Sequence, residues 1–587
     1  MKSEKEASVL APSAKRTTSK AAEAKKGDML MQNHQKNKHK SNPQDILRSV
    51  LRIDASPCPA GRFLYNEPVI ILGAAPRRSA SLARTAPVRQ IDPSDDVAHV
   101  LDWLASPIPD DPSQDLAQLS GELAALGRAR LEDAHYHRIL DLFYDRAHRL
   151  SRVLKTRLIE ASLPLGKELR AMAALLVTVH QHVAAGYERV LLDPDRLAHS
   201  KRRNAGAVAA RALRSLAESL ETSAMMAGSP PAELWRRAHA LAKMARQHYE
   251  PAATVIPGLS LDAEKIYKEL LALAAAQPEG FSPAEIALAS EYLAQFSAAV
   301  NLLPAPPPEE EGSWYWMDSS RDMGPVPPNR RIPPDHGDLL YCSFQLLSRL
   351  LDEQVAALEG GMPAGNLRLP ERANMPGGIA ALKRLLAHWA HPPHRQHPRR
   401  HNNFRAQVCI GLTDLWQMLE RGEAPEGAEA SAAHMTEWMI LNESPSGYAV
   451  MHVAGEIEGL MPGSVIALRP EPEKPWNICI VRWMKSENPE HIELGLELIA
   501  PAARSVQIMF RNGDPAQLPT PGLLLPAIPA LREHPALLAP SGTISARRFF
   551  IVSGEDKTHV MQGRLLSLDQ QTGEIELFQF EPDPYPM

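Results

Sequence analysis

Near residue 400 the period of the apolar pattern changes, and this change constrains the fold more than any other feature of the chain. Upstream, in segments such as HYHRILDLFYDRAHRLSRVLKTRLIEA and GKELRAMAALLVTVHQHVAAGYERVLL, Leu, Ala and Arg recur at three- and four-residue spacing, the period of an amphipathic helix. Downstream, FRAQVCIGL, TEWMILNES, YAVMHVAG, SVIALRP, WNICIVRWMK and HIELGLELIA are short, rich in β-branched and aromatic residues, and separated by Gly and Pro. That texture predicts antiparallel strands in a barrel or sandwich. At 587 residues the chain exceeds what one hydrophobic core supports, so the two patterns are expected as separate domains of a multidomain α+β protein, all-α first and β-rich second.

Composition shifts set the expected boundaries. Residues 1–42 are rich in Lys, Ser, Ala and Gln with almost no large apolar groups, too little to offset ordering entropy, and read as a disordered basic arm. Residues 43–93 are irregular, with one strand expected at EPVIILGAA. A helical domain is expected over 94–300, broken at SLPLG, AGSPPAE and AQPEGFSPAE, where Ser, Gly and Pro end one helix and start the next. Residues 301–335 combine proline clusters with the aromatic triplet Trp314, Tyr315 and Trp316, and predict a linker whose aromatics pack on a neighbouring domain. A helical connector follows over 336–384, then a barrel over 385–511. Residues 512–587, with a QTGE hairpin turn, form either an extension of that barrel or a small domain.

The formal net charge of −5 shows no global basic excess, so no nucleic-acid partner is expected and any anion site must be local. Cys58, Cys342, Cys409 and Cys479 form no CxxC pair, which fits a reducing, cytoplasmic setting without a disulfide framework or zinc ribbon. No stretch has the apolar length of a signal peptide or a membrane span, since AMAALLVTVHQHVAAG is interrupted by His180 and His182. P-loop, GxSxG and HExxH motifs are missing too, so neither catalysis nor a cofactor is expected.

Charge is concentrated locally. No Asp or Glu occurs from Arg372 through Thr413, while Arg372, Lys383, Arg384, Arg395, Arg399, Arg400 and Arg405 all do. Within this window HPPHRQHPRR cannot be helical, because Pro392, Pro393 and Pro398 remove donors and bias their predecessors away from the α region. A basic loop results. Its His391, His394 and His397 repeat every third residue, but without a helix the spacing gives no metal site, and the arginines repel a cation. Planar guanidinium groups on a loop suit a phosphorylated ligand, through bidentate phosphate contacts or the O6/N7 edge of guanine. Further on, LNESPSGYAV has the residue types of a tight turn.

Arg395 and Arg399 form RxxxR, and Asn442, Ser444 and Gly447 form [D/N]xSxxG on a β-rich segment. In this order and context, with the VRW strand holding Trp483 and the LGLEL strand behind them, the pair resembles the PilZ family over residues 385–510. That resemblance implies a PilZ-type barrel that binds cyclic di-GMP, with Arg395, Arg399 and Arg400 on phosphates and a guanine edge, and Asn442, Ser444 and Gly447 around the guanine. It implies a bacterial second-messenger receptor that passes the signal to a protein partner through its helical domain. About forty residues separate Arg399 from Asn442, longer than is usual in the family, and the insertion includes a helical stretch beginning LTDLWQMLER. If that stretch covers the motif face, a second reading applies: a PilZ-fold interaction scaffold that does not bind nucleotide.

Overall fold

The Ser, Gly and Pro clusters of the first half become turns between long helices. The computed structural model describes residues 100–584 apart from 129–132, 193–204, 248–261, 308–312, 393–396, 422–434, 458, 472, 489–490, 511–518, 530 and 554–557. The expected basic arm and the EPVIILGAA strand therefore lie outside the described residues. Helices α1 (Ser113–Arg128), α2 (Asp133–Glu160), α3 (Lys167–Leu192), α4 (Ala205–Met225), α5 (Leu234–Gln247), α6 (Ala263–Ala275) and α7 (Pro283–Phe296) make up an all-helical domain. Ser282 and Glu285 form a capping box at the start of α7, satisfying two otherwise orphaned donors. Central in the bundle is α4, whose Val208, Ala209, Ala212, Leu213 and Leu216 are fully buried. Charges that reach this core are neutralised: Lys155 Nζ lies 2.9 Å from Glu218 and 2.7 Å from Glu221.

The segment expected as a linker is a structured one. Within residues 301–335, β1 (Asn301–Leu303) and β2 (Trp314–Asp318) join β3 (Leu339–Ser343) in a three-stranded sheet of order β1-β3-β2. The expected helical connector thus contributes a strand before its helices α8 (Gln345–Glu359) and α9 (Gly378–Ala390). Both expectations are corrected for one reason. The prolines flank WYWMD rather than interrupt it, and an uninterrupted aromatic run favours a pleated, half-covered strand over a bare linker. Tyr315, Trp316 and Met317 are buried, the Tyr315 hydroxyl donates to the His388 carbonyl at 2.7 Å, and the Trp316 indole donates to the Arg331 carbonyl at 2.7 Å.

The second half contains two closed antiparallel barrels. Strands β4 (Arg400–Ile410), β5 (Met435–Ser444), β6 (Gly447–Ala454), β7 (Val465–Arg469), β8 (Asn477–Asn488) and β9 (His491–Ala500) close in the order β4-β5-β6-β9-β8-β7. Ile440, Val450, Leu494 and Met484 form one fully buried inward row across four of them. Strands β10 (Arg504–Phe510), β11 (Thr520–Leu525), β12 (Ala536–Pro540), β13 (Arg548–Ser553), β14 (His559–Gln571) and β15 (Ile575–Pro582) close separately as β10-β11-β12-β15-β14-β13. Of the two alternatives for the C-terminal region, the structure has the small domain.

A shared apolar cluster welds the barrels together. Cys409, Ile478 and Ile480 of the first meet Leu523, Leu525 and Leu538 of the second, and α10 (Leu412–Arg421) lays Leu412, Trp416, Met418 and Leu419 against them. The helical domain docks on β8: the Ser486 N–H donates to the Ala227 carbonyl at 2.7 Å, and Arg170 donates to Ser486 Oγ at 3.1 Å. Among the described residues no helix is long and apolar enough to cross a membrane.

Candidate functional site

The Asn442–Gly447 stretch is the hairpin between β5 and β6. Ser444 pairs with Gly447 across a two-residue turn of Pro445 and Ser446, the short connection that antiparallel neighbours favour. Ser444 Oγ donates to the Gly447 carbonyl at 3.3 Å and lies 3.2 Å from Ser446 Oγ. Gly447 has φ of +151°, and a Cβ there would stand 1.9 Å from the Leu496 carbonyl oxygen on β9. The glycine is therefore demanded by the sheet itself, before any ligand is considered.

The arginine loop is delivered to this hairpin by strand pairing. Arg400 stands opposite Glu443 and His401 opposite Asn442, so Arg399 enters the barrel beside Ser444. A bulge follows at Asn402 and Asn403, re-aiming the strand next to the motif. Directly paired residues share a face, so His401 and Asn442 look outward together. Arg400 shares the row of Glu443, Tyr448 and Leu496, which is the other face of the sheet. Arg395 lies outside the described residues.

The outward row continues across the barrel as His401, Asn442, Ala449, Gly495 and Trp483. The two middle positions carry one methyl group and no side chain. A Cβ on Gly495 would lie 1.8 Å from Trp483 Nε1, so the indole lies flat across the strand. Three strand spacings, about 14 Å, separate the Trp483 and Asn442 backbones. The next row is Ser444, Gly447 and Glu497, and Glu497 is paired with Arg482. Trp483 was legible as part of the VRW strand, but nothing in the sequence announced its position across from Asn442. Arg482 and His401 were missed for the same reason: which face a residue takes depends on bulges that spacing does not reveal.

The stretch without carboxylates in sequence is not without them in space. Arg372 pairs with Glu291 at 3.0 Å, Arg405 with Glu437 at 3.1 Å, Lys383 with Glu359, and Arg384 with Glu285. Arg399 and Arg400 are exposed and form no ion pair among the described residues. Burial, with the nearby Arg384 and Arg482 charges, pushes the His388 imidazole down to about 4, so it adds no charge to the loop at neutral pH. The α10 helix does not reach the motif. It leaves β4 after Ile410, and Arg400 lies at the other end of an eleven-residue strand, roughly 30 Å away.

Three family models match the chain in succession. They are described as the N-terminal domain of the cyclic-di-GMP receptor FimW, over residues 98–307, the middle PilZ domain of the same receptor, over 414–505, and the FimW C-terminal beta-barrel domain, over 505–583. The middle match contains Asn442, Ser444, Gly447 and Trp483 but begins beyond the arginine loop. A curated relative, the cyclic-di-GMP receptor FimW of Pseudomonas aeruginosa, is 23% identical over 519 residues, covering 75% of this chain and 83% of the relative. No solved structure matches. The chain therefore carries a PilZ domain, its first barrel, set between a helical domain and a second barrel that each match a domain model of the same cyclic-di-GMP receptor.

Proposed function

We propose that this protein is a cytoplasmic receptor for cyclic di-GMP. The observation that carries the reading is the pairing of His401 with Asn442, which sets the unpaired Arg399 beside the Asn442–Gly447 hairpin on an outward face with Trp483 at its far side. Arg399, with Arg395 ahead of it in the same loop, binds phosphate and the O6/N7 edge of a guanine. Asn442 and Ser444 supply hydrogen-bonding groups to that base, and Trp483 offers a π-face for stacking. Arg400, on the other face by register, contributes charge at the rim. Gly447 acts by letting β6 approach β9, which holds the hairpin in place.

The described part of the insertion, α10, lies at the opposite end of β4 from the motif, which favours the receptor reading over the scaffold reading; the rest of the insertion, 422–434, lies outside the described residues. The helical domain is the proposed output side, facing a protein partner, since it grips β8 at Ser486, three residues beyond Trp483. Titration calorimetry of the full chain with cyclic di-GMP tests the receptor reading. Binding that falls about tenfold or more in Arg399→Ala, the loss of one charge-assisted contact, supports it. A wild-type chain that releases no binding heat and shows no competition with a labelled ligand overturns it.

A further inference from the structure

Arg482 stands where the motif face, the second barrel and the helical domain meet. Its guanidinium pairs with Glu497, and its Nη2 lies 3.3 Å from Gln570 Oε1 on β14. Its backbone carbonyl passes so close to the helical domain that a Cβ on Gly280 would be 3.1 Å away. Accepting from Arg482 fixes the orientation of the Gln570 amide, whose Nε2 is buried and has no hydrogen-bond partner among the described residues. None of the arginine or hairpin motifs includes these three side chains.

Their placement has an electrostatic consequence. Glu497 is opposite Gly447, and Gly447 is opposite Ser444, so a carboxylate stands in the row where a phosphodiester would lie. Left alone it would repel that ligand. The Arg482 charge cancels it. Both side chains of the pair are 40% exposed, so packing alone does not hold the guanidinium, and Gln570 is its second fixed contact.

We propose that Arg482 is a positioning residue that neutralises Glu497 for the incoming phosphates, and that Gln570 makes this depend on the C-terminal barrel. The inference rests on the cyclic di-GMP reading and deepens it, because the second barrel then tunes affinity at a site built on the first.

Titration of cyclic di-GMP into the full chain at fixed salt, with a melting curve for each variant, tests it. Arg482→Ala should weaken binding about tenfold, and Gln570→Ala about two- to fivefold. Adding Glu497→Gln to Arg482→Ala should recover most of the loss, because the uncompensated carboxylate is gone; a structural role for Arg482 would give no such rescue. Should Arg482→Ala melt much earlier than wild type, Gln570→Ala, which leaves the Arg482–Glu497 pair in place, carries the test. Wild-type affinity in Gln570→Ala, or a double variant as weak as Arg482→Ala alone, overturns the inference while leaving the receptor reading intact. A wild-type chain that binds no cyclic di-GMP overturns both.

Discussion

Asn442 and Gly447 belong to one short motif but answer to different constraints. Asn442 is half-buried, faces outward in the row of Ala449 and His401, and its side-chain amide has no hydrogen-bond partner among the described residues. Gly447 is closed in by the Leu496 carbonyl. Asn442→Ala should therefore leave the melting temperature near wild type and cut cyclic di-GMP affinity about tenfold. Gly447→Ala must push β6 from β9 and should cost about 2 kcal/mol or more of stability, so its binding defect should track its unfolding in a parallel melt. Three histidines, His180 buried and His148 and His388 half-buried, add a pH dependence. Burial lowers His148 to about 4, His180 to about 3 and His388 to about 4. Above the unfolded value near 6.5 both states are neutral and nothing is lost. As pH falls from about 6.5 toward 4 the unfolded chain takes up protons that the folded one refuses, so stability should drop, by up to about 2 kcal/mol per histidine at pH 5. Urea midpoints measured at pH 7 and pH 5 check this, and equal midpoints would mean these rings are not held neutral.

Among the elements, the hydrophobic period identified helix and strand well, because α2 and α3 bury continuous stripes and the barrel strands alternate. It failed where an element's neighbours decide its state. WYWMD lies between proline clusters and became β2 because β3 offers it a full ladder from Ser343 to Leu339. LTDLWQMLER was visible as a helix, yet its location was not, since a sequence does not say from which end of a strand an insertion leaves. The structure sends α10 to the seam between barrels, where the Trp416 indole donates to the Val506 carbonyl at 2.8 Å. Trp416→Ala should accordingly destabilise both barrels, by about 2–4 kcal/mol given its partial exposure, while affinity measured well below the melting temperature stays unchanged. Lost binding without lost stability would put this helix back at the ligand face. The candidate site was half legible in the same sense: its motifs could be read from the chain, but the Trp483 platform depended on register.

At the scale of the whole molecule, the proposed function requires that occupancy of one barrel face reach the helical domain. One route would run through the arginine loop, if its ordering fixed the α9 helix that leads into it. The structure has that helix already fixed. The Trp389 side chain is fully buried and donates to the Ala272 carbonyl at 2.9 Å, Tyr315 and Ser313 cap the carbonyls of His388 and Ala390, and Asn329 donates to the Pro392 carbonyl at 3.0 Å. Little is left there for a ligand to order. The β8 strand is a better conduit, because Arg482 and Trp483 sit at the motif face, and Ser486, on the same strand, is bonded to Arg170 and to the Ala227 carbonyl. A ligand that settles Trp483 acts on a strand the helical domain already holds, and it can shift their docking only by its differential affinity for the two arrangements, about 1–3 kcal/mol. Hydrogen exchange on the full chain should show added protection in 480–488 and in the 223–228 turn on addition of cyclic di-GMP, with 313–317 and 378–390 unchanged. Arg170→Ala should abolish the change in 223–228 and alter affinity by no more than that same coupling energy, about 5- to 150-fold, by reciprocity. Protection confined to 397–405 and 442–447 would leave the ligand bound and β8 silent, and the signal would have to leave the barrel by another path.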